Sequence, residues 1–528
     1  MDERTYADPD ISRAINDHFI PVRVDIDRRP DISERYNRGG FPTTAFLSDQ
    51  GESIWGATYV PPADLKRIMR SLLDAKASGE IDQALKRSRM HFLDLSKALE
   101  KNGQIDEELV SNVFEDVFAS YDTDFGGFGT EPKFPHPDAV DLLLDRYSET
   151  GEEALAVAVE FTLEQMAQGL YDQGEGGVFR YSVTRDWRTP HYEKMLETNL
   201  GFLRNLANAH KILGKDKFAG IARGVAGYLL KTLRDPRSGA FFGSQDADEE
   251  YYMLSPKERS KRAAPSIDRT IYAGWNAQAV STMLSAGALL EDSELIRAGE
   301  SAWKYAVERL WDPELGLVRH VEDLSVYLFE DQVSFFEALL AVVELSPDRK
   351  LLDLAESIRD GTEKSFAAPG GGFIDITRST EAIGDLDNPR RPLAENSRWA
   401  RALALYGAAV HRPELSEEAR RILLSFAPRD IEAQGIFASS FVTAWRAIER
   451  GVGSVEVFSG NKTKAMASQL WLAAKGALDP GTIVLNMHDP DLAGNTRYAV
   501  VCGPTGCSAK IDDPALLVDR IRQRARFG

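Results

Sequence analysis

The sequence predicts a multidomain, mostly α-helical protein, with a small α/β domain, a long helical region and a small C-terminal α/β unit. The chain has 528 residues, more than one hydrophobic core usually organises. Helical periodicity dominates from about residue 80 to about 450, with candidate helices from 82–101 to 430–449. A glycine-rich turn that carries an aromatic or apolar residue recurs between these helices, which indicates a repeated unit.

The recurring turns predict a helical-hairpin architecture. They occur at 124–128, 174–179, 239–242, 316–318 and 370–374. Each repeat then consists of a helix, a glycine-rich loop, a second helix and a short loop. About five or six such hairpins can close into a ring whose inner helices line an axis, with an open α-solenoid as the alternative.

The two ends of the chain have strand patterns. Residues 1–78 predict strands at 19–27, 41–47 and 53–60 and a helix at 63–77. Residues 451–528 predict strands at 454–458, 482–487 and 497–502, with helices at 462–475 and 514–526. The predicted domains are therefore 1–78, 79–450 and 451–528.

Composition narrows the class of protein. Charged residues make up 27% and hydrophobic residues 43%, which is typical of soluble globular proteins. A net charge of −19 argues against nucleic-acid binding, which favours a basic surface. The sequence has no apolar run long enough for a bilayer, and its acidic N-terminus does not resemble a signal peptide. We therefore expect a cytoplasmic location and no membrane partner.

The two cysteines, Cys502 and Cys507, exclude a disulfide scaffold by their number. In a cytosolic protein two reduced thiols are expected, although a disulfide across the intervening turn is sterically conceivable. No phosphate loop, dinucleotide fingerprint or convincing zinc spacing is present, so we predict no metal and no cofactor.

The stretch 171–196 contains the densest set of chemically active residues. Thr189 suits a helix N-cap and Pro190 the first helical position, which would place His191, Glu193 and Lys194 in a first turn. Such a group could act as acid, base and cation beside a ligand. The alternative is structural, with Glu193 capping the helix and His191 as a polar end residue.

Other candidates lie elsewhere in the helical region. Lys133 lies between prolines and either projects into a site or belongs to a rigid, solvent-facing turn. Asp246 and Asp248 resemble a sugar-binding or metal-binding pair, although a solvated acidic turn explains them equally. Trp275 and Asn276 suit a stacking platform with an amide for hydroxyl groups, but a single Trp is more often part of the core.

Several motifs together resemble a family that joins an N-terminal thioredoxin-like domain to an (α/α)6 toroid and includes the spermatogenesis-associated thioredoxin-like proteins. The matching motifs are Gly-Gly-Phe-Gly-x-x-Pro-Lys-Phe-Pro (126–135), the 171–196 stretch, Asp-Ala-Asp (246–248), Trp-Asn (275–276) and Val-Cys-x4-Cys (501–507). The family's toroid is similar to N-acylglucosamine 2-epimerases and six-hairpin glycosidases. The resemblance implies a truncated thioredoxin-like domain, an (α/α)6 toroid and a C-terminal α/β unit.

One departure from the family concerns redox chemistry. The family carries Cys-x-x-Cys just before a segment that resembles Met1–Tyr6, and the given sequence starts after that point. Phe41-Pro42 resembles the thioredoxin cis-proline turn. We therefore expect a thioredoxin-like domain without its dithiol, either through loss or through a misassigned start codon.

The first hypothesis is a carbohydrate-active enzyme, similar to a sugar epimerase, isomerase or glycosidase, with its site in the toroid mouth. Its predicted catalytic residues are His191, Glu193, Asp246 and Asp331. Its predicted substrate-binding residues are Lys133, Asp172, Arg180, Tyr181, Asp186, Trp187, Lys194, Asp248, Trp275, Asn276, Glu330 and Asn396. The second hypothesis is a non-catalytic or redox-accessory protein that uses the toroid as a platform and binds a protein partner through the thioredoxin-like domain. A deep polar pocket on the axis would favour the enzyme, and an axis filled with apolar side chains would favour the platform.

Overall fold

The computed structural model describes residues 1–87, 105–460, 468–492 and 497–527. The chain forms two compact units. One contains residues 1–102 and 375–390, and the other contains residues 103–374 and 391–528. The predicted helices 82–101 and 462–475 lie partly outside the described residues.

The N-terminal unit is a small α/β structure. A π-helical turn at Asp2–Tyr6 precedes helices α1 (Pro9–His18), α2 (Pro30–Tyr36) and α3 (Pro62–Ser78) and strands β1 (Thr44–Leu47) and β2 (Ser53–Ala57). The two strands pair antiparallel. Ile11, Val60, Leu65 and Met69 form its core. The buried guanidinium of Arg35 pairs with Asp375 at 2.8 Å, which ties the segment 375–390 into this unit.

The predicted strand at 19–27 is wrong. Within the described residues this segment pairs with no strand, and Ile20 and Val22 are 90% and 78% exposed. An apolar, β-branched pattern makes a strand only where a neighbouring strand supplies hydrogen-bond partners.

The larger unit is built on a closed ring of six helices within the described chain. In ring order, each packs on the next and the last on the first. These inner helices are α5 (Pro137–Thr150), α7 (Leu196–Leu213), α11 (Ala273–Leu289), α13 (Phe329–Leu345), α15 (Leu393–Ala409) and α18 (Ser439–Glu449). The closed ring excludes the solenoid alternative.

A second layer of helices surrounds this ring, each packed on one or two inner helices. The outer helices are α4 (Glu107–Ala119), α6 (Glu153–Gly169), α8 (Asp216–Tyr228), α12 (Ser293–Tyr305), α14 (Arg349–Phe366) and α16 (Glu414–Leu423). The π-turns Leu229–Leu233 and Ala306–Leu310 extend α8 and α12, and a short helix, α17 (Pro428–Glu432), and a 3-10 turn (Gly435–Ala438) precede α18. This double ring is the predicted (α/α)6 toroid, so the predicted fold class is confirmed.

Short strands and helices connect the hairpins at the end where the inner helices begin. They are β3 (Tyr181–Ser182), β4 (Pro190–His191), β5 (Lys194–Met195), β6 (Ser244–Gln245), α9 (Glu249–Tyr252), α10 (Pro256–Arg259), β7 (Ile267–Asp268), β8 (Trp311–Asp312) and β9 (Leu317–Val318). Strand β3 pairs with β4, β5–β6–β7 form a three-stranded sheet, and β8 pairs with β9.

The C-terminal part adds a four-stranded sheet of order β11–β10–β12–β13. Its strands are β10 (Gly453–Ser459), β11 (Thr482–His488), β12 (Arg497–Gly503) and β13 (Gly506–Cys507), with helices α19 (Gln469–Gly476) and α20 (Pro514–Phe527). It packs on α11, α13 and α15, where Glu344 near the end of α13 bonds Lys475 and the backbone of Val484. This unit therefore covers the end of the ring at which the inner helices finish.

The five recurring turns adopt one shared geometry. In each, the residue that follows the helix forms a β-bridge or strand pair with the residue after the glycines, as Tyr171 does with Val178. Gly177 has φ of 75°, and a Cβ there would lie 2.5 Å from the ring of Tyr228. The glycines are therefore required by both conformation and close packing.

A buried amide clamps these turns to the inner helices. The Oδ1 of Asn276 accepts from the N–H of Phe241 at 2.7 Å, and its Nδ2 donates to the carbonyls of Phe241 and Tyr272. The side-chain amides of Asn199, Gln332 and Asn396 make the same pair of hydrogen bonds, to the backbone of Val178, Val318 and Phe373 respectively. Each clamp residue is the fourth of its helix, so the device repeats with the hairpin.

The predicted helix start at Thr189 is wrong. Helix α7 begins at Leu196, because residues 190–195 pair with other chain segments as β4 and β5. The N–H of Arg180 also bonds the carbonyl of Glu193. Pairing between distant segments satisfies this backbone, and it outweighs the local capping pattern.

Cys502 and Cys507 form a disulfide between paired residues of β12 and β13. The expectation of two reduced thiols is therefore not met in this structure. Among the described residues, none of the helices combines the length and apolar character needed to cross a membrane.

Candidate functional site

A cavity of about 800 Å³ lies on the axis of the ring. All six inner helices line it, and Trp471, Thr482 and Val484 of the C-terminal part close it at one end. Its other end lies where the inner helices begin, because Pro137, Glu197 and Ser440 at those starts also line it. Small-molecule sites have volumes of roughly 300–1,000 Å³, so the cavity has the size of a ligand pocket.

Charged side chains line the wall of this cavity. Arg204 bonds both Asp138 and Asp141, at 2.6 and 2.7 Å. Arg398 pairs with Glu337 across the neighbouring helices α15 and α13. The sequence analysis identified none of these residues.

Asp145, further along α5, has no hydrogen-bond partner among the described residues. Burial raises its pKa well above the usual range for a carboxyl, and the charges of Asp141 and Asp479 add to this shift. The cavity therefore presents an acid of raised pKa near paired charges, and such a set of polar groups suits a ligand rich in hydroxyl groups.

Acidic and aromatic residues occupy the first turns of four inner helices. Glu197 and Glu330 are the second residues of α7 and α13, and Trp275 and Glu395 are the third residues of α11 and α15. Glu197 lines the cavity. The other three lie one or two turns before the lining residues Gln278, Glu337 and Arg398, and hence on the same helix faces. We call Glu197, Glu330 and Glu395 the carboxyl ring.

Glu330 is a member of this carboxyl ring with a strongly perturbed acidity. Burial, together with the negative charges of Glu395 and Asp331, raises its pKa to about 8, while Arg398 opposes the shift. A smaller contribution from Glu197 shows that the three carboxyls interact electrostatically. At neutral pH, Glu330 therefore holds its proton, whereas an ordinary Glu does not.

Three aromatic rings lie on the side of the mouth opposite Glu330, and we call Phe134, His136 and Phe437 the aromatic rim. All three line the cavity. The ring of His136 lies 6.3 Å from Phe134 and 5.6 Å from Phe437, edge to face with both. Phe134 is 38% and Phe437 64% exposed, which is unusual for large aromatic side chains.

His136 is the N-cap of α5 and has φ of 45°, a strained conformation for a residue with a side chain. Burial lowers its pKa, so the imidazole is neutral at pH 7. Neither ring nitrogen has a hydrogen-bond partner among the described residues. The sequence analysis missed His136 because its interest depends on this conformation.

The predicted pair Tyr181 and His191 extends this aromatic surface. Their rings stack at 4.9 Å, and Tyr181 stacks on Phe134 at 4.7 Å. The buried Nδ1 of His191 has no hydrogen-bond partner among the described residues. Arg180, which lines the cavity, pairs with Glu193 at 2.9 Å. The structure therefore brings these four predicted residues together near the mouth.

The two predicted lysines point away from the cavity into the protein. Lys133 is fully buried and pairs with Asp122 at 2.6 Å. Lys194 is also fully buried, and it pairs with Asp172 at 2.7 Å. Asp172 additionally receives Arg259 at 2.7 Å. Burial lowers the pKa of both lysines, and the paired carboxylates oppose that shift. Lys133, Lys194 and Asp172 thus stabilise the glycine-rich turns and offer nothing to a ligand.

Two other predicted residues of the 171–196 stretch also make contacts within the protein that stabilise its local structure. Trp187 is fully buried, and its Nε1 donates to the carbonyl of Phe125. Asp186 accepts from Thr184 Oγ1 and from the N–H of Arg188, which closes a local turn. We do not include either residue in the candidate site.

The predicted residues at the inner helix starts divide into two groups. Trp275 and Glu330 lie on the axial faces, as described above. Asp331 is buried, where it accepts from the N–H of Gly274 and contacts Nδ1 of His320 at 3.0 Å. Asn276 and Asn396 are clamp residues, and both are fully buried. Their amide groups are committed to the backbone, so these two and Asp331 have no group left for a ligand.

Asp246 and Asp248 lie on the exposed turn that follows β6. Asp248 caps α9 by accepting from the N–H of Tyr251, and Asp246 accepts from the N–H of Ala247. Neither lines the axial cavity. These contacts match the solvated acidic turn that the sequence left open.

Comparisons with known proteins agree with the resemblance found in the sequence. Residues 1–102 match a DsbH-type thioredoxin family model, described as a protein of unknown function, DUF255. Spermatogenesis-associated protein 20 of Mus musculus is 26% identical over 445 residues, which is 79% of this chain and 53% of the mouse protein. The Homo sapiens protein is 30% identical over 314 residues, 54% of this chain and 38% of the human one. The chain thus spans about half the length of the curated relatives or less.

Solved structures with a similar arrangement include cellobiose 2-epimerases. The enzyme of Bacillus thermoamylovorans has a TM-score of 0.49 and 10% identity, over 60% of this chain and 86% of that one. The enzyme of Spirochaeta thermophila has a TM-score of 0.49 and 13% identity, over 79% and 95%. The predicted resemblance is therefore confirmed: the chain is similar to the DUF255 thioredoxin-like family at its N-terminus and to spermatogenesis-associated protein 20 along most of its length.

Proposed function

We propose that the chain is an enzyme that acts on a carbohydrate in the axial cavity by moving a proton at a sugar carbon. One observation carries this proposal. The axial cavity of about 800 Å³ is lined by charged as well as apolar side chains, and the carboxyl ring at its mouth includes Glu330, whose pKa is raised to about 8. Small-molecule enzymes commonly pair a protonated acid with an ionised one in this way.

The carboxyl ring divides the chemistry between its members. Glu330 would donate its proton to a carbonyl or ring oxygen of the sugar. Glu395 or Glu197 would act as the base that removes the proton from the adjacent carbon. Proton abstraction needs a base beside the carbon and an acid that stabilises the developing oxyanion, and neighbouring helices supply both here.

Other residues would orient the sugar. Trp275 lies on the axial face beside the carboxyl ring, where an indole can stack on the apolar face of a pyranose. Arg180, held by Glu193, would donate to hydroxyl oxygens. His191 keeps its predicted role as an acid or base, and its unpartnered Nδ1 supports that role.

Hydrolysis of a glycosidic bond is the second candidate reaction, because it also requires two carboxyl groups in different protonation states. Asp246 and Asp331, the two aspartates among the predicted catalytic residues, do not suit it, since Asp331 is bound to Gly274 and His320 and Asp246 is exposed. Glu330 with Glu395 or Glu197 would replace that pair. The platform hypothesis loses support, because the axis holds an open cavity with charged residues on its wall and is not filled by packed apolar side chains.

The test is a solvent-exchange experiment. The protein is incubated in D₂O with a panel of aldoses, ketoses and disaccharides, and products are followed by NMR. Proton transfer at carbon should place deuterium in the sugar, whereas hydrolysis gives new reducing ends without deuterium on carbon. Glu330→Gln should abolish turnover, and the matched change Glu294→Gln, at an exposed residue of outer helix α12, should leave it intact. If neither deuterium nor hydrolysis is detected with any sugar, the proposal is wrong.

A further inference from the structure

The aromatic rim faces Glu330, one member of the carboxyl ring, across the mouth of the cavity. The inner helices follow the order α5, α7, α11, α13, α15, α18 around the ring, so α13 lies opposite α5. Glu330 is at the start of α13, and His136 is the N-cap of α5. Phe437 precedes α18, the neighbour of α5. A ligand that contacts Glu330 would therefore have the rim on its far side.

The composition of the rim is that of a sugar subsite. Phe134 and Phe437 present exposed aromatic surface, which can cover the apolar faces of a pyranose. His136 between them has two ring nitrogens without a partner, and burial keeps it neutral, so it can both donate and accept. Asp138 and Ser440 next to it are joined at 3.1 Å and add polar groups at the same wall.

Packing alone gives no reason for this arrangement. An exposed Phe at the edge of a cavity loses the benefit of burial, and a non-glycine residue at positive φ costs free energy of order 1–3 kcal/mol. Strain of this kind persists where the surroundings hold the residue for a purpose. The strained residue here is the one between the two exposed rings.

We infer that the aromatic rim is a second sugar subsite, so that the natural ligand is a disaccharide or the end of a longer glycan and not a free monosaccharide. This inference rests on the proposed function. The reacting ring would lie against the carboxyl ring and Trp275, and the next ring would lie against Phe134, His136 and Phe437. The cavity volume supports two rings, since one pyranose occupies only a part of about 800 Å³.

Calorimetry with defined sugars tests the subsite. Glucose, mannose and galactose are compared with their α-1,4- and β-1,4-linked disaccharides. The best disaccharide should bind about tenfold more tightly than its monosaccharide, which corresponds to about 1.4 kcal/mol and lies within the range of about 0.5–1.5 kcal/mol for one aromatic contact. Phe437→Ala should remove most of that preference without weakening monosaccharide binding, and Phe437→Tyr, which keeps the ring, should retain it.

Phe41→Ala is the matched control, because Phe41 is 52% exposed and does not line the cavity. It should leave both affinities unchanged. Equal affinity for monosaccharides and disaccharides, or a disaccharide preference that survives Phe437→Ala, would overturn the subsite and leave the proposed function standing. If no sugar binds to the wild-type protein, the proposed function fails and the subsite with it.

Discussion

Substitution of the clamp residue Asn276 by Ala is expected to destabilise the toroid strongly. Asn276 is fully buried, and it is the hydrogen-bond partner of both the N–H and the carbonyl of Phe241. The Nδ2 of Asn276 also donates to the carbonyl of Tyr272. In the variant this carbonyl would still accept the helical hydrogen bond from the N–H of residue 276. Two buried backbone groups would therefore lose their partner in the variant.

The magnitude follows from those two groups. A buried polar group without a partner costs about 1–3 kcal/mol, so the free energy of unfolding should fall by about 2–6 kcal/mol. Gln332→Ala should cost a similar amount, because it removes the same two bonds from Val318. Asn112→Ala is the control, since Asn112 is exposed on outer helix α4, and its effect should stay within about 0.5 kcal/mol.

Guanidinium unfolding, followed by tryptophan emission, measures the difference. Trp275 is a local reporter, because it contacts Tyr272 at the base of the clamp. If Asn276→Ala lowers the free energy of unfolding by no more than about 1 kcal/mol beyond the effect of Asn112→Ala, the clamp is refuted. This threshold is the smallest cost expected for one buried polar group without a partner, about 1 kcal/mol. A substrate-binding role for the amide predicts the opposite pattern, in which stability is unchanged and sugar binding is lost.

Three further predictions concern protons, sulfur and buried charge. Because the pKa of Glu330 is about 8 in the folded protein and 4.5 as its ordinary value, the folded state binds an extra proton between these pH values. Stability should therefore fall as pH rises from 4.5 to 8, and Glu330→Gln should flatten this dependence in thermal-unfolding scans, whereas an equal slope in both proteins would contradict the assignment. Reduction of Cys502–Cys507 should lower the stability of the C-terminal part by about 2 kcal/mol, as expected for a short disulfide loop, and a Cys502→Ala/Cys507→Ala double variant should not respond to dithiothreitol. Lys194→Met leaves Asp172 buried with only Arg259 as its cationic partner and should cost about 3 kcal/mol, while Lys304→Met at an exposed helical pair should cost less than about 1 kcal/mol; equal losses in urea unfolding would mean that the buried pair contributes nothing special.

The sequence by itself determined the architecture of the helical region. Helical periodicity and the recurring glycine turns identified the hairpins, because both are local properties that need no distant partner. The same patterns located the C-terminal strands to within about two residues. The sequence also indicated that the 171–196 stretch adjoins a site, and Arg180, Tyr181, His191 and Glu193 do meet near the mouth.

Only the tertiary structure decided which polar residues face the cavity. Asn276 and Glu330 occupy similar places at the starts of inner helices, yet one is committed to a backbone turn and the other lies on the axial face. The two side chains leave their helices at different angles around the helix axis. Which angle faces the cavity depends on how the six inner helices close into a ring. Lys133 and Lys194 are charged residue types that the sequence assigns to a site, but both are buried in ion pairs. Their partners, Asp122 and Asp172, lie in the glycine-rich turns that precede them in the chain.

The same dependence on distant partners explains the errors in local structure. Residues 190–195 carry a helix-start pattern but form strands, since Tyr181–Ser182 and Ser244–Gln245 offer them backbone partners. Residues 19–27 carry a strand pattern but form none, because no described segment pairs with them. Hydrogen-bond partners far away in sequence therefore decided whether these segments form helix, strand or neither. They also decided which side chains remain available to a ligand.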